Sequence, residues 1–330
     1  MPSESRPLVV VSGPIHPDGI ALLEREARVV VTEDPSEEAM MRTAAEADGI
    51  LFRIRPRCPA PLMERCRKLR VVGRHGVGLD TVDIPAATRL GIAVVHAPGS
   101  NSQAVAEHAL MLMLGCVKRT LEIDKMTRAG DWSVKRRGGG NTELAGKTLG
   151  IVGVGNVGRR VAKFAEAIGM RVLAYDKYVA ADEVRRRGAE PVGSLETLLP
   201  QVDVLTCHTP LTQETHHMIN GKTLALMKDG AIYINTSRGG VQDERALFEA
   251  LTRGKLSAAG IDVFEEEPTP VDNPLLNAEN AIVSCHVAGV TKEANRQMGV
   301  QCAGEMLRVL RGERPDVLVN PDVWGRLGVR

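Results

Sequence analysis

Aromatic side chains are scarce in this chain, with two Trp, three Tyr and four Phe in 330 residues. A base-stacking platform for single-stranded nucleic acid needs more. A charge bias is missing as well, since 42 basic residues face 41 acidic ones and leave a formal +1. No general pull toward nucleic acid or an anionic membrane is built in. The six cysteines (Cys58, Cys66, Cys116, Cys207, Cys285, Cys302) form no CxxC pair. They read as free thiols of a reducing compartment, not a disulfide frame or zinc site, and no metal is expected. Long hydrophobic runs are absent: the most apolar helical stretch, Ala104 to Val117, carries Glu107 and His108 and is too short to span a bilayer. The opening MPSESRPLVVVSGP carries Glu4 and lacks the basic segment, long apolar stretch and cleavage site of a secretory signal. The expectation is a cytoplasmic protein with no membrane and no nucleic-acid partner.

What is present is a globular composition, 43% apolar and 25% charged, in a chain long enough for two domains. Short apolar runs alternate with helix-length amphipathic segments. Strands are expected at Leu8–Val11, Val29–Thr32, Gly49–Phe52, Arg70–Gly73 and Ala93–His96, with helices at Asp18–Ala27 and near 36–46, 60–67 and 83–89. This rhythm predicts an α/β fold with mainly parallel sheets. After Pro98-Gly99 one long helix is expected from Ser102 to about Thr127, apolar on most sides and so buried on most sides. A basic, glycine-rich connector, Lys135–Asn141, follows. A second alternating block has expected strands at Thr148–Val152, Arg171–Tyr175, Val204–Thr206, Ala231–Asn235, Ala258–Ile261 and Ile282–Ser284, before a helix from about Lys292 to Leu310.

The most specific local feature is TLGIVGVGNVG at 148–158, a strand running into GxGxxG and then a helix. Gly153 permits the tight turn, Gly155 lets the backbone approach a pyrophosphate, and Gly158 lets helix and strand pack closely. The amides of Asn156 and Val157 would face the pyrophosphate from the helix N-terminus. The next strand ends in Asp176, 18 residues after Gly158, where a carboxylate accepts hydrogen bonds from the adenosine ribose hydroxyls. An aspartate there repels a 2′-phosphate, which favours NAD over NADP, and Lys177 beside it weakens the discrimination slightly.

Hydride transfer to such a cofactor from a hydroxyl-bearing carbon needs a base for the hydroxyl proton, a partner for that base and a cation for the substrate's oxygens. Among eight histidines, His286 follows an apolar run and precedes Ala288-Gly289, at the end of the last expected strand. Ligands of open α/β sheets bind at that carboxyl edge. Arg238 lies just past the strand ending at Asn235, and Glu265-Glu266-Glu267-Pro268 lie past the one containing Ile261.

NTSRG, GIDVFEEEP and SCHVAG, behind GIVGVGNVG, together resemble the D-isomer-specific 2-hydroxyacid dehydrogenase family. The resemblance runs from Gly49–Arg53 through GRHGVGLDTVD (73–83) and NSQAVAEHA (101–109) to the closing helix. It implies a Rossmann NAD-binding domain (100–289) inserted into a smaller flavodoxin-like substrate domain (1–99 plus 290–330), closing around a small anionic 2-hydroxy or 2-keto acid. It further implies that Arg238 holds the substrate carboxylate and polarises the carbonyl. His286 would be the acid/base and Glu267 its hydrogen-bond partner; a nearby carboxylate stabilises an imidazolium. By the same resemblance Asp262 touches the nicotinamide carboxamide, the Val77-Gly78 backbone receives the carboxylate, and the 102–127 helix region forms a homodimer interface. His208, Thr209 and Pro210 resemble the family's cofactor-side loop; for His208 a core role is the alternative. Thr236, Ser237 and Gly289 complete the expected cofactor contacts. Arg53, His75 and Gly76 are candidates for the substrate side, and Arg53 suits a second anionic group. The family usually has proline where this chain has Cys285, which removes a stiffener from the strand exit.

His108 is expected to be packing, His216-His217 a solvated turn, and Arg136-Arg137 and Arg185–Arg187 solvated surface. Segment 73–83 looks most like the phosphoglycerate dehydrogenase subtype, in a short form, since nothing after Asn320 could build a regulatory domain. Glyoxylate or hydroxypyruvate reduction is the alternative within the enzyme class. An NADH-sensing, corepressor-like binding protein is the alternative outside it.

Overall fold

The computed structural model describes residues 6–34, 36–53, 57–136 and 140–326. They form two compact units, one from Met1–Asn101 with Val290–Arg330 and the other from Ser102–Gly289.

In the first unit, β1 (Leu8–Val11), β2 (Arg28–Val31), β3 (Gly49–Phe52), β4 (Val71–Arg74) and β5 (Ala93–His96) form a parallel sheet in the order β2-β1-β3-β4-β5. That is the flavodoxin-like order. β1 and β3 are buried along their whole length, which is why they read as unbroken apolar runs. β2 lies at the edge of the sheet and is half-exposed. The helix Pro17–Glu24 starts on a proline, whose missing N–H has no helical partner to lose. It packs on the helix Lys292–Leu310, where a side chain on Gly19 would come within 3.0 Å of the Gly299 backbone. Thr291 caps that second helix by accepting from Ala294 N, and Met306 and Cys302 fill the space over Gly73.

In the second unit, β6 (Thr148–Val152), β7 (Arg171–Tyr175), β8 (Glu190–Pro191), β9 (Val204–Cys207), β10 (Ala231–Asn235), β11 (Leu256–Ile261) and β12 (Ala281–Val283) run parallel in the order β12-β11-β10-β9-β6-β7-β8. Counted from β6 this is the Rossmann order 3-2-1-4-5-6 with a seventh strand added. The winding reverses between β6 and β9, so the crevice at their carboxyl ends is the natural ligand site.

Two local expectations need correction. The long helix is broken: Ser102–Val117 and Thr120–Arg128 are separate, and Arg119 between them sits at φ 51°. The amide of Thr142 donates to Val117 O at 3.0 Å, competing for the carbonyl that a continuing helix would use. Beyond Val117 the second helix also has no buried residue to hold it in line. The first of the pair is buried on most sides, as expected: ten of its sixteen residues are buried, and Gln103, Glu107, Met111 and Leu114 are exposed along a single stripe. The basic connector begins as a short helix, Ser133–Arg136, and its residues 137–139 fall outside the described ones. Among the described residues no helix is long and apolar enough to cross a membrane.

Candidate active site

Each glycine of the loop after β6 answers to a different neighbour. Gly153 sits at φ 91°, and a side chain there would come within 2.9 Å of His208 O. The loop is thus laid against the segment leaving β9. A side chain on Gly158 would overlap the carbonyl oxygen of Gly153. Gly155 has nothing within 4 Å of where its Cβ would be. Nothing in the protein demands a glycine at 155; a ligand approaching the backbone would.

Asp176, at the end of β7, accepts the amide of Val154 at 2.9 Å through Oδ2 and those of Tyr178 and Val179 at 2.9 and 3.1 Å through Oδ1. Arg187 donates to the carbonyl of the same Val154 at 2.8 Å and pairs with Glu183 at 2.7 Å. The middle of the loop is therefore gripped from both sides, and Arg187 is not the solvated surface residue expected. Arg185 and Arg186 are exposed, paired with Asp182 and Glu183. Lys177 pairs with Glu214 at 2.7 Å, and Glu214 also accepts from the Tyr178 hydroxyl at 2.8 Å.

Past β9 and β10, which pair Cys207 with Asn235, polar atoms are buried without partners. They are His208 Nδ1, Thr209 Oγ1 and Thr236 Oγ1. Unsatisfied buried groups of this kind cost about 1–3 kcal/mol each, so such a cluster marks a place where a ligand's polar groups belong. Burial pushes the His208 imidazole down to about 3, so the ring is neutral; its Nε2 lies 3.0 Å from Thr206 Oγ1. A glycine loop open at 155, an acid at 176 and these orphaned atoms together fit a dinucleotide.

The carboxyl ends of β10, β11 and β12 are adjacent in the sheet. Asn235 fixes the turn after β10: its Oδ1 accepts Ser237 N at 2.9 Å and Ser237 Oγ at 2.7 Å, and its Nδ2 donates to Arg238 O at 3.0 Å. A side chain on Gly239 would overlap the Phe264 carbonyl, so two backbones touch there. That contact brings Arg238 next to the segment carrying Glu267. His286 Nδ1 lies 2.7 Å from Glu267 Oε2, while Glu267 Oε1 accepts Phe264 N at 3.1 Å. Burial alone would raise the Glu267 carboxyl; the His286 hydrogen bond and charge, the Phe264 amide and the Arg238 charge outweigh it and hold the group below the usual range. His286 itself is half-exposed, so Nε2 has access to solvent or substrate.

Asp262, expected at the nicotinamide, is fully buried and accepts Ser284 Oγ at 2.6 Å and the amides of Val287 and Ala288 at 2.9 Å each. His108 Nε2 lies 3.0 Å from Ser284 Oγ, so His108 is part of a polar network and not the packing residue expected. The His216-His217 pair lies in a turn with His216 exposed, as expected; the two rings stack at 4.0 Å, and His217 Nε2 meets Glu265 Oε2 at 3.0 Å.

The expected substrate residues of the first unit lie at the carboxyl ends of its strands. Arg53 donates its amide to Ser12 Oγ at 3.1 Å and Nη1 to Pro14 O at 3.2 Å. His75 is buried, with Nε2 unpartnered. Burial, then the charges of Arg53 and Arg74, push the imidazole down to about 4 against a bond to the Asn295 backbone. Gly76 takes φ 138°, and Val77 O lies 2.9 Å from His96 Nδ1. The structure thus assembles Arg238, Glu267 and His286 in one unit and Arg53, His75 and Gly76–Gly78 in the other. Asp262 as a hub, His108, Ser284, Gly239 and Arg187 were not legible as site residues in the sequence. Each acts on a segment 22 or more residues away in sequence.

Residues 110–288 match the model of the NAD-binding domain of D-isomer specific 2-hydroxyacid dehydrogenases. The chain is 40% identical over 312 residues to a D-3-phosphoglycerate dehydrogenase of Methanocaldococcus jannaschii, covering 94% of this chain and 59% of that one. It therefore spans about three-fifths of that relative's length. It is 37% identical over 326 residues to a glyoxylate reductase of Aeropyrum pernix, covering 96% of this chain and 97% of that one. Among solved structures, the D-lactate dehydrogenase of Aquifex aeolicus with NAD and lactic acid superposes with a TM-score of 0.84 at 28% identity, covering 95% of this chain and 99% of that one.

Proposed function

The chain belongs to the D-isomer specific 2-hydroxyacid dehydrogenase family, and from that premise we propose that it interconverts a small 2-keto acid and its D-2-hydroxy acid with NAD as cofactor. The observation that carries this reading is the 2.7 Å Glu267–His286 pair at the carboxyl edge of the sheet, with the Arg238 charge acting on the same carboxylate. A dinucleotide held along the glycine loop would supply the hydride chemistry at C2, in either direction. Arg238 holds the substrate carboxylate and polarises the C2 carbonyl. In reduction His286 gives its Nε2 proton to the C2 oxygen; in oxidation it takes the hydroxyl proton. Glu267 accepts the Nδ1–H, which orients the ring and favours its charged form.

Gly153, Gly155, Asn156, Val157 and Gly158 receive the pyrophosphate, and Asp176 the ribose hydroxyls. With Asp176 in place and Lys177 occupied by Glu214, NAD is preferred over NADP. His208, Thr209, Pro210, Thr236, Ser237, Asp262 and Gly289 complete the cofactor contacts. Arg53, His75, Gly76, Val77 and Gly78 serve the substrate. The 40% match to a phosphoglycerate dehydrogenase supports D-3-phosphoglycerate as the hydroxy acid. End-to-end matches to glyoxylate reductases support glyoxylate or hydroxypyruvate as the second reading. Exposed Met111, Leu114 and Leu121, all within 102–127, support a homodimer through that region, and the protein acts in the cytoplasm.

The test follows NADH absorbance while the protein meets phosphohydroxypyruvate, hydroxypyruvate, glyoxylate, pyruvate and sulfopyruvate. One ketoacid should be reduced at a kcat/KM well above the others. Binding of NADH without turnover across the panel would overturn the enzyme reading in favour of the sensor.

A further inference from the structure

Asp262 is a buried carboxylate, and burying a charge costs several kcal/mol unless its lone pairs are filled. The donors that fill them are the Ser284 hydroxyl at 2.6 Å and the amides of Val287 and Ala288 at 2.9 Å. The Asp262 carbonyl in turn accepts the amide of His286 at 2.7 Å. One residue therefore takes three consecutive amides, 286 to 288, and the hydroxyl that precedes them. Within that grip His286 is held at φ 55°, a left-handed conformation that costs a residue with a side chain roughly 1–2 kcal/mol.

The hydrogen-bond directions follow from the chemistry. An ionised carboxylate only accepts, so the single Ser284 hydroxyl proton points at Asp262. Ser284 Oγ is then an acceptor toward His108, whose Nε2 at 3.0 Å carries the proton. The chain runs His108 to Ser284 to Asp262, each donor polarising the next. His108 stands on the helix Ser102–Val117, which packs across β10, β11 and β12.

We propose that His108 and Ser284 are positioning residues for the proton-transfer step: through Asp262 they hold His286 in the left-handed conformation that places its Nδ1 on Glu267. This rests on the reading of His286 as the acid/base. Displacing a catalytic group by about 1 Å costs on the order of 10²-fold in rate.

The test compares His108→Ala, His108→Asn, His108→Gln and Ser284→Ala. A glutamine amide nitrogen reaches about where the imidazole Nε2 stood, and an asparagine amide does not. We expect His108→Ala, His108→Asn and Ser284→Ala to lower kcat by roughly 10- to 10²-fold. KM for the ketoacid should stay within about twofold, and His108→Gln should restore most of the rate. In the cofactor-free protein, the NMR signal of the His286 Nδ1 proton, protected by Glu267 in the wild type, should vanish in the same three variants and persist in His108→Gln. Retention of both kcat and that signal in the alanine variants overturns the proposal, as does glutamine behaving like asparagine. Ser284→Ala removes a single oxygen from a half-buried site, so it decides the matter if the His108 variants fail to fold. A wild type inert on every ketoacid would sink the acid/base reading alone; the NMR comparison would still decide whether the network positions His286.

Discussion

Replacing Gly155 with alanine should cost the folded chain nothing and its ligand a great deal. No atom lies within 4 Å of the added methyl, and Gly155 is not among the residues held at positive φ. Alanine at such a position restricts the unfolded chain and stabilises by about 0.4–1 kcal/mol. That corresponds to a Tm rise of at most about 4 °C for a unit of this size. On the ligand side, the methyl would stand between the loop's amides and a phosphate. Losing one charge-assisted hydrogen bond costs about 1.5–3 kcal/mol, so the Kd for NADH should rise roughly 10- to 100-fold. Gly158→Ala supplies the contrast. Its methyl would overlap the Gly153 carbonyl, and overpacking of this kind costs about 1–3 kcal/mol, so the cofactor-free protein itself should lose several degrees. Scanning fluorimetry without cofactor and a fluorescence titration with NADH read both effects. Wild-type NADH affinity in Gly155→Ala would remove the pyrophosphate from this loop and refute the reasoning.

Three further outcomes follow from the same geometry. His208 is held neutral down to about pH 3 in the fold, whereas in the unfolded chain it takes a proton near 6.5. Stability is therefore fully present above 6.5 and falls as pH drops toward 3, by up to about 5 kcal/mol; denaturant midpoints measured from pH 7 to 4 should fall less steeply for His208→Asn, and an unchanged slope would contradict the burial. Asp176→Ala should raise the KM for NAD and relax the bias against NADP; because it also frees the Val154 amide, the loop should lose thermal protection on adding NADH. An unchanged NAD-to-NADP ratio would place ribose recognition elsewhere. Gly239→Ala should push the Arg238 turn off the Phe264 backbone and lower kcat/KM by roughly 10²-fold, with steady-state rates near wild type as the refuting result.

Much of this architecture could be read from local pattern. Strands buried on both faces leave contiguous apolar runs, so β1, β3, β5, β6, β7 and β10 begin and end where the sequence places them. Residues past strand ends were legible for the same reason, since Arg238, Glu267 and His286 each follow such a run. What escaped is set by distant partners. The helix break at Arg119 depends on Thr142 returning to Val117, a contact invisible to periodicity. Arg187 looks in the sequence like one of three surface arginines, and only the Val154 carbonyl, 33 residues away, distinguishes it. His108 sits in an apolar helix and reads as packing until Ser284, 176 residues later, supplies a partner. The two-residue strand β8 is too short for any pattern to reveal.

The central claim is that His286, oriented by Glu267, moves the proton. The direct measurement is steady-state kcat of His286→Ala beside equilibrium NADH binding, using the ketoacid that the wild type reduces best. The account predicts NADH affinity within about twofold of wild type and kcat lower by roughly 10²-fold or more. A near-normal kcat would remove His286 from the mechanism and, with it, the orienting role of Glu267.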